Sequence, residues 1–511
     1  MHKVFAMLVA AGIGLSATSA LSAQKLDFLD TGAPLKIAPA DPQIAAALKD
    51  VSTDRIRKNI ETLVNFKNRS TLSSMEKDLP AGTGVLAAGD YIKGQFEAYS
   101  KECGGCLEVK TDDFIQPGSK APGSRITSDT RLVNVYAVLK GTDPEQAKRI
   151  YLVTGHYDTR VIDVMNTHDF SPGANDDTSG TAVSMECARV LSKHKFPATI
   201  VFLTVPGEEQ GLNGSAHFAK MARSEGWDLE GVLNNDIVGG NTTPGETHQT
   251  KTRLRVFSEN VPQNATVDEM RRLIQYGNES DTPSRELARE VLDVNRTYFH
   301  VPPSTPAASK LPYTLKTVME MRLDRYGRGG DHRSFNQEGF AGIRFTEWRE
   351  DYNHQHQDVR VQNGIEYGDL LKFDDFDYIA KVARMNAATL ATMASAPGQP
   401  KTATMSARNQ DNNSVMKFTV PDGAPAGTWY QLVWRETDAS DWQYAGDALK
   451  YDDKVDGPVH TITVPISKDN VYFGIRSCDT KGHCSAAVAP YPEVPVRNGV
   501  RPAPAATPVA R

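Results

Sequence analysis

Two adjacent carboxylates, Glu208 and Glu209, follow an apolar run in the stretch Val205-Pro-Gly-Glu-Glu-Gln-Gly-Leu-Asn-Gly-Ser215. Neighbouring side chains diverge on a strand-end turn, so one glutamate is placed to hold a metal ion and the other to act as a base on water. An isolated Glu-Glu pair is more often a solvated surface feature, and the rest of the chain has to decide. Other candidate ligands are His156 and Asp158 in Gly155-His-Tyr-Asp158, Asp176 in Gly173-Ala-Asn-Asp-Asp-Thr-Ser-Gly180, Asp236, and His354 in Tyr352-Asn-His-Gln-His-Gln-Asp358. Imidazole and carboxylate donors suit zinc, which polarises carbonyl oxygen and lowers the pKa of bound water. Two such ions need a carboxylate between them, for which Asp176 is the candidate. Asp158, two residues after His156, is placed to orient that imidazole through its other nitrogen.

These residues need strands that end beside one another. Apolar, β-branched runs predict strands over 132–139, 149–154, 198–205, 231–236, 254–257 and 342–346. Periodic stretches over 41–65, 87–99, 179–194, 213–224, 284–294 and 378–393 predict helices. The alternation predicts an α/β fold, a largely parallel mixed sheet covered by helices; His156, Asp158, Glu208, Glu209 and Asp236 fall at or just beyond strand carboxyl ends, where such sheets bind ligands, with Asp176 at a turn before a helix and His354 far downstream. Residues 68–84 and 103–128 read as loops. The region 239–330 reads as insertion-like, with Val301-Pro-Pro-Ser-Thr-Pro306 extended by its prolines.

The chain has 511 residues, enough for two or more domains, and a formal net charge of -6 that excludes a basic nucleic-acid footprint. Residues 1–23 have the positive start, apolar core and small-residue end of a secretory signal, so the product is expected to be secreted or periplasmic, without a membrane span. Export permits local disulfides, Cys103 with Cys106 and Cys478 with Cys484, and leaves Cys187 as a buried thiol. Residues 24–395 form the expected catalytic domain and 396–413 a polar linker. Short strands over 414–491 predict a small C-terminal β-sandwich, and 492–511 is a Pro- and Ala-rich tail. The sandwich is weakly similar to a fibronectin type III module.

From about Leu132 to Ser395, six pieces in a consistent order resemble the dizinc exopeptidases, clan MH, which include secreted bacterial aminopeptidases and glutamate carboxypeptidase-like enzymes. They are Gly155-His-Tyr-Asp158, the 173–180 segment, Gly207-Glu-Glu-Gln-Gly211, Asn235-Asp236, Gly330-Asp-His-Arg-Ser-Phe335 and His354-Gln-His-Gln-Asp358. The resemblance implies two zinc ions, one held by His156 and Asp236, the other by Glu209 and His354, with Asp176 bridging them. Glu208 would then take a proton from the attacking water and pass one to the leaving amine. The family pattern favours Asp176 over Asp177 as the bridge. His356 competes with His354, and the family spacing of four residues before an aspartate selects His354 with Asp358. Asn353 stands where some members carry a tyrosine, and Asp331 and His332 are read as tying a helix start to the site. The resemblance implies an aminopeptidase acting on peptide substrates. A carboxypeptidase or other amidohydrolase on the same centre is the alternative, and a metal-stabilised binding protein whose terminal module carries the function is a third reading.

Overall fold

The computed structural model describes residues 33–301, 312–407, 411–451 and 453–493. The expected signal, the 302–306 part of the proline loop and most of the tail lie outside these residues. After a two-residue strand β1 (Ala33–Pro34) come helices α1 (Pro42–Lys49), α2 (Thr53–Val64) and α3 (Gly84–Glu102). Strands β2 (Leu107–Gln116), β3 (Thr130–Leu139) and β4 (Arg149–His156) lead to α4 (Thr178–Leu191), β5 (Thr199–Val205), α5 (Asn213–Ser224) and β6 (Asp228–Asn235). Then follow β7 (Arg253–Ser258), α6 (Val267–Tyr276), α7 (Pro283–Tyr298), β8 (Lys316–Glu320), α8 (His332–Gln337) and β9 (Gly342–Glu347). A hairpin, β10 (Arg360–Gln362) with β11 (Ile365–Tyr367), precedes α9 (Phe376–Ser395).

Eight of these strands form one sheet in the order β2-β3-β5-β4-β6-β9-β7-β8. Its centre is parallel, β5-β4-β6-β9, as is the β7–β8 pair, while β2–β3, β3–β5 and β7–β9 are antiparallel. Every residue of β5, Thr-Ile-Val-Phe-Leu-Thr-Val, is buried, as its apolar sequence requires. Helix α4 is buried along its whole length, between the sheet and α9. Its start lies hard against the sheet: a Cβ on Gly155 would fall 2.4 Å from the carbonyl carbon of Gly180, and one on Gly180 would fall 2.1 Å from the Asn235 oxygen. Glycine at both positions lets the turn before α4 lie across the ends of β4 and β6.

The 103–128 region read as loops contains β2, a ten-residue edge strand paired with β3. Lys110 and Asp113, on opposite faces, are both exposed, the polar composition that protects an edge strand and that leaves no apolar run to mark it. The insertion-like region supplies two sheet strands, β7, which covers the strand expected over 254–257, and β8, together with the core helix α7, which covers the helix expected over 284–294.

Thr402–Met405, inside the stretch expected as a linker, is strand β12. It and β13 (Ser414–Thr419), β14 (Trp429–Glu436), β15 (Tyr444–Asp447), β16 (Lys454–Asp456), β17 (Val459–Val464), β18 (Val471–Cys478) and β19 (Tyr491–Pro492) make two sheets, β1-β15-β14-β18 and β16-β17-β13-β12-β19. Met416, Phe418, Leu432, Trp434, Ile462 and Ile475 share one core between them. Cys103–Cys106 and Cys478–Cys484 are disulfides, and Cys187 is a buried free thiol. Among the described residues no helix is long and apolar enough to cross a membrane.

The C-terminal sheets are joined to α7 through buried charge. Asp281 accepts from Arg289 of α7 at 2.9 Å and from Arg435 of β14 at 2.7 Å, Arg476 of β18 meets Asp293 at 2.7 Å, and the Trp442 indole donates to Glu286 at 3.2 Å. Asp281 is 1% exposed, so Asp281→Ala leaves the buried Arg435 without its carboxylate and Arg289 with Glu286 alone. It should cost about 3–5 kcal/mol of stability, read by urea unfolding. A loss below about 1 kcal/mol would show that the network does not join the two parts.

Candidate metal centre

The carboxyl ends of β4, β5 and β6 and the turn before α4 meet in one buried group. His156 ends β4, with Nε2 3.2 Å from Asp176 Oδ1, and together with Asp236 just beyond β6 they form one cluster of potential ligand atoms. Asp176, Glu209 and His356 form a second. Asp176 belongs to both. Its other oxygen, Oδ2, lies 2.8 Å from His356 Nε2, which is 3.1 Å from Glu209 Oε1.

The histidine that reaches Glu209 is thus His356, where family spacing had selected His354. The chain turns back at His356, whose φ of 56° lies in the left-handed region that few non-glycine residues adopt, and this sets the imidazole against Asp176. His354 instead stacks on Phe373, with ring centroids 3.6 Å apart, and burial lowers its pKa. Asp358, half of that spacing argument, accepts from the Ile162 amide at 3.3 Å and anchors the loop.

Asp158 lies where it was expected, its Oδ1 3.3 Å from His156 Nδ1. Its carboxylate also accepts from the Glu208 and Glu209 amides at 3.4 and 3.2 Å and from the Thr71 hydroxyl at 3.0 Å, so it positions the paired acids as well as the imidazole. Asp177 turns away to accept from the Gly180, His156 and Ile237 amides, which is the work of a helix cap. Asp331 does not cap α8: its carboxyl lies buried, and burial pushes its pKa up to about 7.

Several positioning residues carry no local sequence signal. Asp369 accepts from the Asp176 and Asn175 amides at 2.7 and 2.9 Å, Gln355 donates to Asp176 Oδ2 at 2.9 Å, and Arg344 lies 2.8 Å from Asp236. Each is remote in sequence from the group it holds, and Gln355 lies between His354 and His356, in a stretch marked only by its histidines and Asp358.

The centre's own electrostatics ask for cations. Burial pushes the Glu208 carboxyl well above the usual range and that of Glu209 upward. Burial opposes protonation of His356, but Glu209 and Asp176 outweigh it and push its pKa up to about 10. His156 Nε2 and Glu209 Oε1 are buried without a hydrogen-bond partner, and both point at Asp176. Orphaned imidazole and carboxylate atoms in two clusters with a shared aspartate fit a pair of zinc ions. Glu208 stands apart from both clusters, its Oε2 4.0 Å from His156 Nε2, and faces a cavity of about 640 Å³.

Residues 134–287 match peptidase family M28. A probable zinc metalloprotease of Pyrenophora teres f. teres is 40% identical over 466 residues, covering 91% of this chain and 90% of that protein. One from Pyricularia oryzae is 40% identical over 461 residues, covering 88% of this chain and 85% of that protein. Among solved structures, the LapA aminopeptidase of Legionella pneumophila superimposes with a TM-score of 0.46 at 17% identity, covering 77% of this chain and 80% of that one.

Proposed function

Because the chain belongs to peptidase family M28, with zinc metalloproteases among its relatives, we propose that it is a secreted dizinc aminopeptidase. The observation that carries the reading is the sharing of Asp176 between His156 with Asp236 and Glu209 with His356, beside an uncommitted Glu208. His156 and Asp236 would hold one zinc ion, Glu209 and His356 the other, and Asp176 both. Zinc bound there would supply Lewis acidity toward the scissile carbonyl and a lowered pKa for the attacking water. Glu208 removes a proton from that water and returns one to the leaving amine, while its burial suits it to carry the proton in between. Asp158 holds the His156 ring and the Glu208-Glu209 backbone in place throughout.

A cavity of about 640 Å³ accommodates a few residues, which suits attack near a chain end. The N-terminal segment of signal character and two disulfides support export. The C-terminal sheets are read as a fibronectin type III-like sandwich whose place against α7 makes it part of the enzyme's framework. Attack at the carboxyl end is the second reading, favoured by the arginines that line the same cavity. Peptides blocked at one end decide between them: N-terminal acetylation should abolish turnover, and C-terminal amidation should leave it. The reverse pattern would replace the aminopeptidase reading. Stripping the metal with a chelator should abolish hydrolysis, with zinc restoring it, and undiminished activity in fully metal-free protein would contradict the mechanism.

A further inference from the structure

Asp176 is shared by both ligand clusters, yet it stands in the turn before α4 rather than on a strand end. Its place relative to Asp236, just beyond β6, depends on what ties that turn to the chain after Asp236. Two ties exist, one on each side of Asp176. On the α4 side, Asp177 accepts from the Ile237 amide at 3.2 Å. On the other side, Asn175 accepts from the Gly239 amide at 2.8 Å through Oδ1 and donates from Nδ2 to Glu347 Oε2 at 3.2 Å. The same Oε2 accepts from the Gly240 amide at 2.5 Å, and the Glu347 amide donates to the Ile237 carbonyl at 2.8 Å. Glu347 is the last residue of β9 and is fully buried. The approach is close enough to require glycine at 240, where a Cβ would fall 2.5 Å from Asn175 Nδ2 and 3.1 Å from Glu347 Oε1.

The turn that carries Asp176, the segment that follows Asp236 and the end of β9 therefore meet on one carboxylate. We infer that Glu347 is a positioning residue of the metal centre: acting through Asn175, it fixes Asp176 against Asp236 and so sets the affinity of the ion that both share with His156. This rests on the dizinc reading. Glu347 belongs to neither cluster of ligand atoms and holds the centre only through its neighbours. Its second oxygen, Oε1, has no hydrogen-bond partner among the described residues and lines a cavity of about 20 Å³. One oxygen thus makes both bonds. A glutamine that keeps an oxygen in that place and turns its nitrogen into the cavity preserves them, whereas an alanine leaves Asn175 Nδ2 and the Gly240 amide without their acceptor.

Zinc affinity, measured by competition with a chromogenic chelator, tests this without reference to hydrolysis. Glu347→Ala should weaken zinc binding by about 10–100-fold, the range typical of losing a residue that orients a ligand. Asn175→Ala should do the same. Because the two act along one path, the double variant should be little weaker than the weaker single one. Glu347→Gln should bind zinc as the wild type does, a rescue that a general loss of packing would not show. Urea unfolding of the metal-free proteins identifies any variant that does not fold, and Asn175→Ala decides if Glu347→Ala is one of them. Unchanged affinity in the folded alanine variants, a double loss equal to the product of the single losses, or a Glu347→Gln protein as weak as Glu347→Ala would overturn the inference. A wild-type protein that binds no zinc would instead contradict the dizinc reading on which it rests.

Discussion

Replacing Glu208 by Gln should lower kcat/KM by about 10²- to 10⁴-fold while leaving the zinc content of the purified protein unchanged. The separation follows from position. Glu208 belongs to neither cluster of ligand atoms, whereas Glu209, its neighbour, reaches His356 at 3.1 Å. The substitution keeps the side chain's size and removes only its capacity to carry a proton. Glu209→Gln should do the opposite, weakening one metal site first and losing activity as a consequence. Zinc content measured alongside peptide hydrolysis distinguishes the two. Loss of metal in Glu208→Gln would mean that Glu208 is itself a ligand.

The second large effect separates two histidines two residues apart. His356→Ala should leave about one zinc ion per chain and reduce affinity at the remaining site's neighbour by more than the roughly 10–100-fold typical of losing an outer-shell partner. His354→Ala should keep both ions and cost about 0.5–1.5 kcal/mol of stability from the lost stacking on Phe373. Metal content by mass spectrometry reads the first, and thermal unfolding of the loaded protein reads the second. Two retained ions in His356→Ala would remove it from the centre.

His156, Glu208, Glu209 and Asp236 were legible because each sits at or beside a strand end whose apolar run announces it, and Asp176 because it stands in the glycine-flanked turn before a predicted helix. His356 was not. Spacing along a chain implies extended backbone, and a left-handed residue redirects the side chain in a way that no count of residues registers. Strand β2 escaped because edge strands are polar by necessity, whereas periodicity does predict a helix over 284–294 for α7, and only its place in the core is hidden by the insertion-like region around it. Its charged residues Arg285, Glu286, Arg289 and Glu290 suggest a solvated face, but all four are buried, Glu286 and Arg289 in contact with the C-terminal sheets. Of the arginines that line the cavity, Arg325, Arg328 and Arg333 are close in sequence, but only tertiary structure brings Arg125 and Arg160 to the same cavity.

The central claim is a pair of zinc ions that share Asp176. Crystals of the zinc-loaded protein, measured on both sides of the zinc absorption edge, test it most directly. Two anomalous peaks flanking Asp176 are expected, one against His156 and Asp236 and one against Glu209 and His356, with a separation of about 3.5–4 Å. A single peak, or a second ion held by His354, would contradict it.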